Sequence, residues 1–208
     1  LHWNQNENGE TDLQSPNLYI NQVGQLVASA RYGNAGYVTT DESVNDDNWH
    51  YAGITFSENG VLSLYLDGNF KGSINVDDYG DNYGRQDYLV IGGGDPLSIR
   101  DFNGSIDDVH IWSRDLSEEE IQSIISESFF PNHDIIAYWK FNSGEGDILY
   151  DHSGNQNHGT IVGATWEEVY AGCTDPLALN FDELAELDDR SCEYPDNGNY
   201  SLNFDGND

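Results

Sequence analysis

Val61-Leu62-Ser63-Leu64-Tyr65-Leu66-Asp67-Gly68-Asn69-Phe70 is the stretch on which the fold turns. Leu62, Leu64 and Leu66 recur at every second position, the period of a strand with one buried face. Asp67-Gly68-Asn69 follows at once, and Gly accepts the positive φ of a tight turn, so the chain is expected to reverse there into a hairpin. Outward from this point the first half of the chain repeats the pattern, with turn residues about every eight to twelve positions and β-branched or aromatic runs between them. Leu18-Tyr19-Ile20, Leu26-Val27-Ala28, Trp49 to Phe56, Val61 to Leu66, Tyr88 to Ile91 and Ser105 to Trp112 all read as strands. Many short antiparallel strands in one domain predict an all-β sandwich.

One helix interrupts the strands. Ser117 with Glu120 three residues on forms a capping box, and Leu116, Ile121, Ile124 and Ile125 make one apolar stripe, which predicts a helix from about Glu118 to Glu127. The acidic residues of its first turn complement the helix dipole, and capping is their expected role. Beyond Pro131, Ile135-Ile136-Ala137-Tyr138-Trp139-Lys140-Phe141 is a second apolar stretch, followed by a Gly-, Asn- and Asp-rich loop and a short strand near Thr160 to Val162.

Charge narrows the partners. The 208 residues carry 7 Lys or Arg against 38 Asp or Glu, a formal net charge of -31. Such a chain repels polyanions, so nucleic acid and anionic lipid surfaces are excluded as partners and a divalent cation is the natural one. With 37% hydrophobic and 12% aromatic residues it is also no disordered acidic tail. No window approaches eighteen consecutive apolar residues, so no membrane insertion is expected, and Leu1-His2-Trp3-Asn4-Gln5-Asn6 lacks the pattern of a signal peptide.

The two cysteines, Cys173 and Cys192, lie close together in a Gly- and Asp-rich chain without Met, a spacing that suits one local disulfide and an oxidising, extracellular setting. A two-Cys zinc site is the weaker alternative, since no His lies near either thiol. Between them, Asp175, Asn180, Asp182, Asp188 and Asp189 offer the hard oxygens that calcium requires, and would converge once the loop closes. Their spacing is not that of an EF-hand, because position six counted from Asp182 is Leu187 rather than Gly; solvated surface charge is the competing reading.

Catalysis finds little footing. Glycoside hydrolysis on a β-sandwich needs paired carboxylates on one face of a strand, at alternating spacing; Asp107 and Asp108 are adjacent and would point to opposite faces. Asp151-His152-Ser153 has triad residue types but a turn composition without the strand-elbow-helix context. Trp49, Trp112, Trp139 and Trp166 sit in apolar contexts and are expected to pack in the core. Trp3 and the loop around Tyr79, Asp81 and Tyr83 form an aromatic and acidic group outside the strands, which makes Tyr79, Asp81 and Tyr83 the candidate ligand-binding residues.

Asn48-Trp49-His50-Tyr51 leading into Leu62 to Gly68, with Gly104-Ser105-Ile106-Asp107-Asp108-Val109-His110-Ile111-Trp112-Ser113-Arg114-Asp115-Leu116-Ser117, resembles the later strands and trailing helix of a laminin G-like, concanavalin A-type jelly roll. Tyr138 to Gly146 through His158-Gly159-Thr160 resembles the segment that follows such domains in large bacterial surface proteins. Gly172-Cys173-Thr174-Asp175-Pro176, running to Asp188-Asp189-Arg190-Ser191-Cys192-Glu193-Tyr194, is similar to short disulfide-closed repeats of secreted bacterial proteins, which usually have Gly where Arg190 stands.

What the resemblance implies is an antiparallel jelly-roll β-sandwich with one short helix over residues 1–128, its opening strands missing. A trailing strand segment (129–170) would pack on the sandwich, followed by a disulfide-closed acidic spacer (171–195) and a linker with the first strand of a following domain (196–208). It also implies that one of Asp107 and Asp108 holds calcium, and that Asp205 and Asp208 belong to the same kind of site in the next domain. The function so implied is a calcium-stabilised, non-catalytic, secreted or cell-surface repeat module of an adhesin. Its partners would be neighbouring domains or copies of the repeat, with a glycan or surface protein as ligand. A carbohydrate-binding module of a secreted polysaccharide-degrading enzyme is the alternative, with a structural filament subunit third.

Overall fold

The structure, a computed structural model, describes residues 2–3, 17–30, 36–76, 89–93, 102–126 and 133–195. The chain divides into two compact units, residues 1–164 and 165–208.

In the first unit the strands are β1 (His2–Trp3), β2 (Asn17–Ile20), β3 (Gln25–Ser29), β4 (Tyr37–Ser43), β5 (Ala52–Phe56), β6 (Val61–Leu66), β7 (Asn69–Asn75), β8 (Leu89–Val90), β9 (Val109–Trp112), β10 (Ile135–Trp139), β11 (Ile148–Leu149) and β12 (Gly159–Thr160), with helix α1 at Glu118–Ile125 between β9 and β10. β2-β3-β4 and β5-β6-β7 are antiparallel three-stranded sheets, and β1–β8, β9–β10 and β11–β12 are antiparallel pairs. The core lies between the two larger sheets. Leu18, Leu26, Ala28 and Ala30 meet Leu62, Leu64, Leu66 and Val76, with Val38, Val44, Ile54 and Ile74 packed around them. The leucines of β6 fall on one side because a strand alternates its side chains, and each one buried contributes roughly 1.5–3 kcal/mol.

The turn after β6 has Asp67 at φ 51° and Gly68 at φ 76°, so both central residues are left-handed and the strands leave it with matched twist. Past the turn the register slips, with Leu64 opposite Gly72 but Tyr65 opposite Phe70, and Lys71 is the extra residue of a bulge. Lys71 reaches Glu42 of β4 as an ion pair. Gly72, at φ 152°, is where β7 comes close to β4: a Cβ there would lie 2.7 Å from Val38 Cγ2. A second slip separates Gln25 from Val27 in the β3–β4 pairing, and there the buried hydroxyl of Thr40 accepts the Leu26 N–H at 3.1 Å. An otherwise orphaned buried donor is thereby satisfied.

Helix α1 carries the capping box foreseen from Ser117 and Glu120, both bonds being present. Arg114 clasps the Glu120 carboxylate with two N–H bonds at 2.6 and 2.8 Å, which together with the Ser117 N–H holds its pKa down to about 2. The helix is tied to the β6–β7 hairpin, since Glu118 Oε1 accepts the Phe70 N–H at 3.0 Å and Gln122 Nε2 donates to the Gly68 carbonyl at 3.2 Å.

Several expected strands are shorter in the structure. The run from Ser105 to Trp112 is a strand only over Val109–Trp112, because Asp108 at φ 50° leaves extended backbone just before it. The run from Trp49 begins at Ala52, and the helix stops at Ile125 with Ser126 as its cap. β4 was not foreseen: its second half, Thr40-Asp41-Glu42-Ser43, is too polar to show a buried face, and within the strand only Thr40 is buried.

In the second unit β13 (Ala171–Gly172) and β14 (Leu187–Asp188) pair in parallel. Cys173 and Cys192 are joined as a disulfide across a sequence separation of 19, with their Cα atoms 4.8 Å apart.

Candidate functional site

β9 and β10 place His110 directly opposite Tyr138, so His110, Trp112 and Tyr138 share one face of the pair. Val109, Ile111, Ala137 and Trp139 share the other, on which Ala137 and Trp139 are buried. On the first face the rings form a row. His110 stacks on Tyr138 with centroids 4.1 Å apart and on Trp112 at 5.3 Å, and the His152 ring lies 6.1 Å beyond Tyr138. The ammonium of Lys140 sits 5.3 Å over the Tyr138 ring, a cation–π contact, and the Tyr138 hydroxyl donates to Asp108 Oδ1 at 3.0 Å. His110, Trp112, Tyr138 and Lys140 are half-buried and His152 is exposed. Burial lowers the His110 pKa to about 4 and outweighs the neighbouring Asp108 carboxylate, so the central ring of the row is neutral imidazole at physiological pH.

The row is held from behind by one buried carboxylate. Asp151 Oδ1 accepts the Tyr138 and Ser153 N–H groups at 2.9 and 2.8 Å, while Oδ2 accepts the Asn157 N–H at 2.9 Å and the Ser153 hydroxyl at 2.8 Å. Burial alone would raise its pKa, but these bonds outweigh it and hold the carboxyl at about 2. The same loop serves the edge of β10 away from β9. The Asn155 and Asn157 amides donate to the carbonyls of Ile135 and Ile136, and the His152 N–H donates to the Tyr138 carbonyl at 2.7 Å. Trp139 Nε1 donates back to the Asn157 carbonyl at 2.9 Å. Asp151-His152-Ser153 therefore forms no relay: Ser153 Oγ faces Asp151, and His152 Nδ1 lies 3.0 Å from the Tyr150 carbonyl.

Of the residues proposed from sequence, Asp108 lies at the rim of this row, while those of the cysteine-closed loop belong to the second unit. Asp107 and Asp108 precede β9 and turn toward local partners, Asp107 Oδ1 accepting the Asp108 N–H at 2.8 Å and Asp108 the Tyr138 hydroxyl. Burial raises the Asp107 pKa, with repulsion from Asp108 adding to it. In the cysteine-closed loop the carboxylates fold the backbone. Asp175, Asp182, Asp188 and Asp189 each accept the N–H two residues on, at 2.8 to 3.0 Å, the geometry of an Asx-turn. Asn180 bridges the Ser191 carbonyl and the Glu193 N–H, Tyr194 donates to Asp175 at 2.6 Å, and Tyr170 donates to Asp182 at 2.9 Å. Those last two bonds push both phenol pKa values up. Among the described residues no three His, Cys, Asp or Glu gather into a set able to hold a metal ion. Tyr79, Asp81, Tyr83, Asp205 and Asp208 lie outside the described residues.

Of the tryptophans expected in the core, Trp139 is buried, whereas Trp49, Trp112 and Trp166 are half-buried. Trp112 belongs to the ring row, which the sequence signals only as alternation: His110-x-Trp112 and Tyr138-x-Lys140 each keep one parity. Pairing the two strands in register is what turns that parity into a row.

Two solved structures match parts of the chain. A candidate carbohydrate binding protein from Bacteroides ovatus ATCC 8483 matches with a TM-score of 0.50 and 18% identity over 70% of this chain, which spans 44% of that protein's length. An S-layer domain-containing protein (residues 221–444) from Clostridium thermocellum ATCC 27405 matches with a TM-score of 0.35 and 19% identity, covering 60% of this chain and 67% of that one. No curated protein matches the chain. Residues 3–122, more than half of the chain and most of its described sandwich, match the model of one family, and the chain belongs to the concanavalin A-like lectin/glucanases superfamily.

Proposed function

We propose that this chain is a non-catalytic, extracellular binding module of the adhesin type, which takes a neutral glycan on the outer face of β9–β10. The observation that carries the reading is the half-buried row Trp112, His110, Tyr138, with Asp108, Lys140 and His152 at its rim. A pyranose presents both C–H faces and hydroxyls, and a ring row rimmed by the Asp108 carboxylate and the Lys140 ammonium suits that mixture. The net charge of -31 favours neutral over acidic glycans. Family membership supports a carbohydrate- or adhesion-type module, and the disulfide supports an oxidising compartment. Among the described residues no helix is long and apolar enough to cross a membrane. Stabilisation by calcium belongs to the same proposal, as relief of repulsion among 38 carboxylates.

A glycan array probed with the whole chain tests the reading. Binding of neutral glycans, lost in both Trp112→Ala and Tyr138→Ala while the fold persists, supports it; binding that survives both changes moves the site elsewhere. Attachment to a polysaccharide-degrading enzyme is the second reading, favoured by the same row. It requires affinity for insoluble polysaccharide in pull-down, where an adhesin module prefers terminal glycans on the array.

A further inference from the structure

We infer that His50 is a proton-dependent clamp: as an imidazolium it pins the loop before β5 to the β6–β7 turn, and loss of its proton releases that loop. The geometry alone makes the argument. Both ring nitrogens face carboxylate oxygens, Nδ1 at 2.9 Å from Asp67 Oδ2 and Nε2 at 3.1 Å from Asp46 Oδ1. A neutral imidazole has one donor and one acceptor, so it would set a lone pair against one of the two carboxylates, whereas only the imidazolium donates to both. The half-buried ring is positioned for this, since Asp67 Oδ1 also accepts the Tyr51 N–H at 2.9 Å and Asp46 Oδ1 the Asn48 N–H at 3.1 Å.

The charged groups facing the ring are Asp46 from its own loop and Asp67 from the turn; Asp47 adjoins the first in sequence, and Glu118 of α1 reaches the far side of the same turn at the Phe70 N–H. All four are acidic. The turn is itself fixed, because Gln122 holds the Gly68 carbonyl, and Tyr51 is tied to it as well, its carbonyl accepting the Asp67 N–H at 2.8 Å, so the movable partner is the loop from Asp46 to Trp49. Partial burial alone would lower the pKa of the imidazole, but the bonds to Asp67 and Asp46 outweigh it and raise it above 6.5. A folded-state value above the unfolded one means that the contribution is fully present below pH 6.5 and is lost as pH rises through the folded value. The clamp does not depend on what the β9–β10 face binds.

The test is an NMR titration of the histidine rings in the whole chain, with His50 assigned by the signal missing in His50→Gln. The expected midpoint for His50 lies above its value in the same chain unfolded in concentrated urea. Asp46→Asn and Asp67→Asn should each lower it, and the Tyr51 amide should exchange faster once the ring is deprotonated. A wild-type midpoint at or below the urea value overturns the inference, with no variant needed. So does a raised midpoint that neither Asp→Asn change moves, or a Tyr51 amide whose exchange follows only the general base-catalysed rise with pH.

Discussion

Asp151→Asn is the most informative single change to the β9–β10 face. In the wild type one carboxylate accepts four hydrogen bonds, two at each oxygen. An asparagine keeps one acceptor oxygen and turns an NH2 toward two former donors. If the NH2 takes the Oδ2 position, the Ser153 hydroxyl can rotate to accept, but the Asn157 N–H is left facing a donor. The pKa depression gives an independent size: from 3.8 to about 2, at 1.36 kcal/mol per unit, is about 2 kcal/mol of stability at neutral pH. The orphaned N–H adds about 1–3 kcal/mol, so the expected loss at pH 7 is roughly 3–5 kcal/mol, or about 6–20 °C in Tm for a unit of this size. The sign with pH follows from a depressed folded value: the carboxylate's contribution is present above the unfolded pKa and disappears as pH falls toward about 2. Urea unfolding of wild type and Asp151→Asn at pH 7 and again near pH 2.5 should therefore show a gap that narrows in acid. A gap under about 0.5 kcal/mol at pH 7, the size of an ordinary surface change, or one independent of pH, would refute the assignment of Asp151 as the anchor of the ring row.

Other consequences can be checked on the same protein. Replacing Cys173 and Cys192 with Ser should destabilise the second unit by about 3 kcal/mol in the chain-entropy model, read as selective loss of amide protection beyond residue 165. Gly72→Ala should cost more than the roughly 1 kcal/mol typical of point changes, because the new methyl meets Val38 at a φ of 152°; thermal unfolding measures it. Arg190 occupies a left-handed conformation at φ 62°, so Arg190→Gly should leave the second unit equally stable or raise its stability by up to about 1 kcal/mol, and a loss of stability would show that the arginine side chain matters. Millimolar calcium should raise Tm relative to chelator and do so more than magnesium; identical melting curves would remove calcium from the proposed function.

The sandwich was legible because its signals are local. The Leu62/Leu64/Leu66 alternation, the Asp67-Gly68 turn and the Ser117/Glu120 capping box each lie within a few residues, and each appears where the sequence places it. What the sequence hides is non-local. Tyr138 and His110 are 28 residues apart and become neighbours only through the β9–β10 register. Asp151 looks like a turn residue until its four donors are in place, and Trp112 has the apolar setting of a core residue although its ring stacks on the outer face. The carboxylates of the cysteine-closed loop read in the sequence as hard-oxygen ligands, and in the structure Asp175, Asp182, Asp188 and Asp189 each accept a backbone N–H within their own turn. Spacing alone does not tell an Asx-turn from a metal ligand.

The Cys173–Cys192 bond has a mechanical meaning. Tension applied along the chain crosses from one cysteine to the other through two sulfur atoms, over a Cα separation of 4.8 Å, and never loads the residues between them. A separation of 19 residues would span about 65 Å if fully extended, so roughly 60 Å of contour is shielded while the bond is intact. The turns inside that loop can melt under load without lengthening the molecule, and a reductant converts the same segment into slack. Force-extension traces of oxidised and reduced protein should differ by that increment.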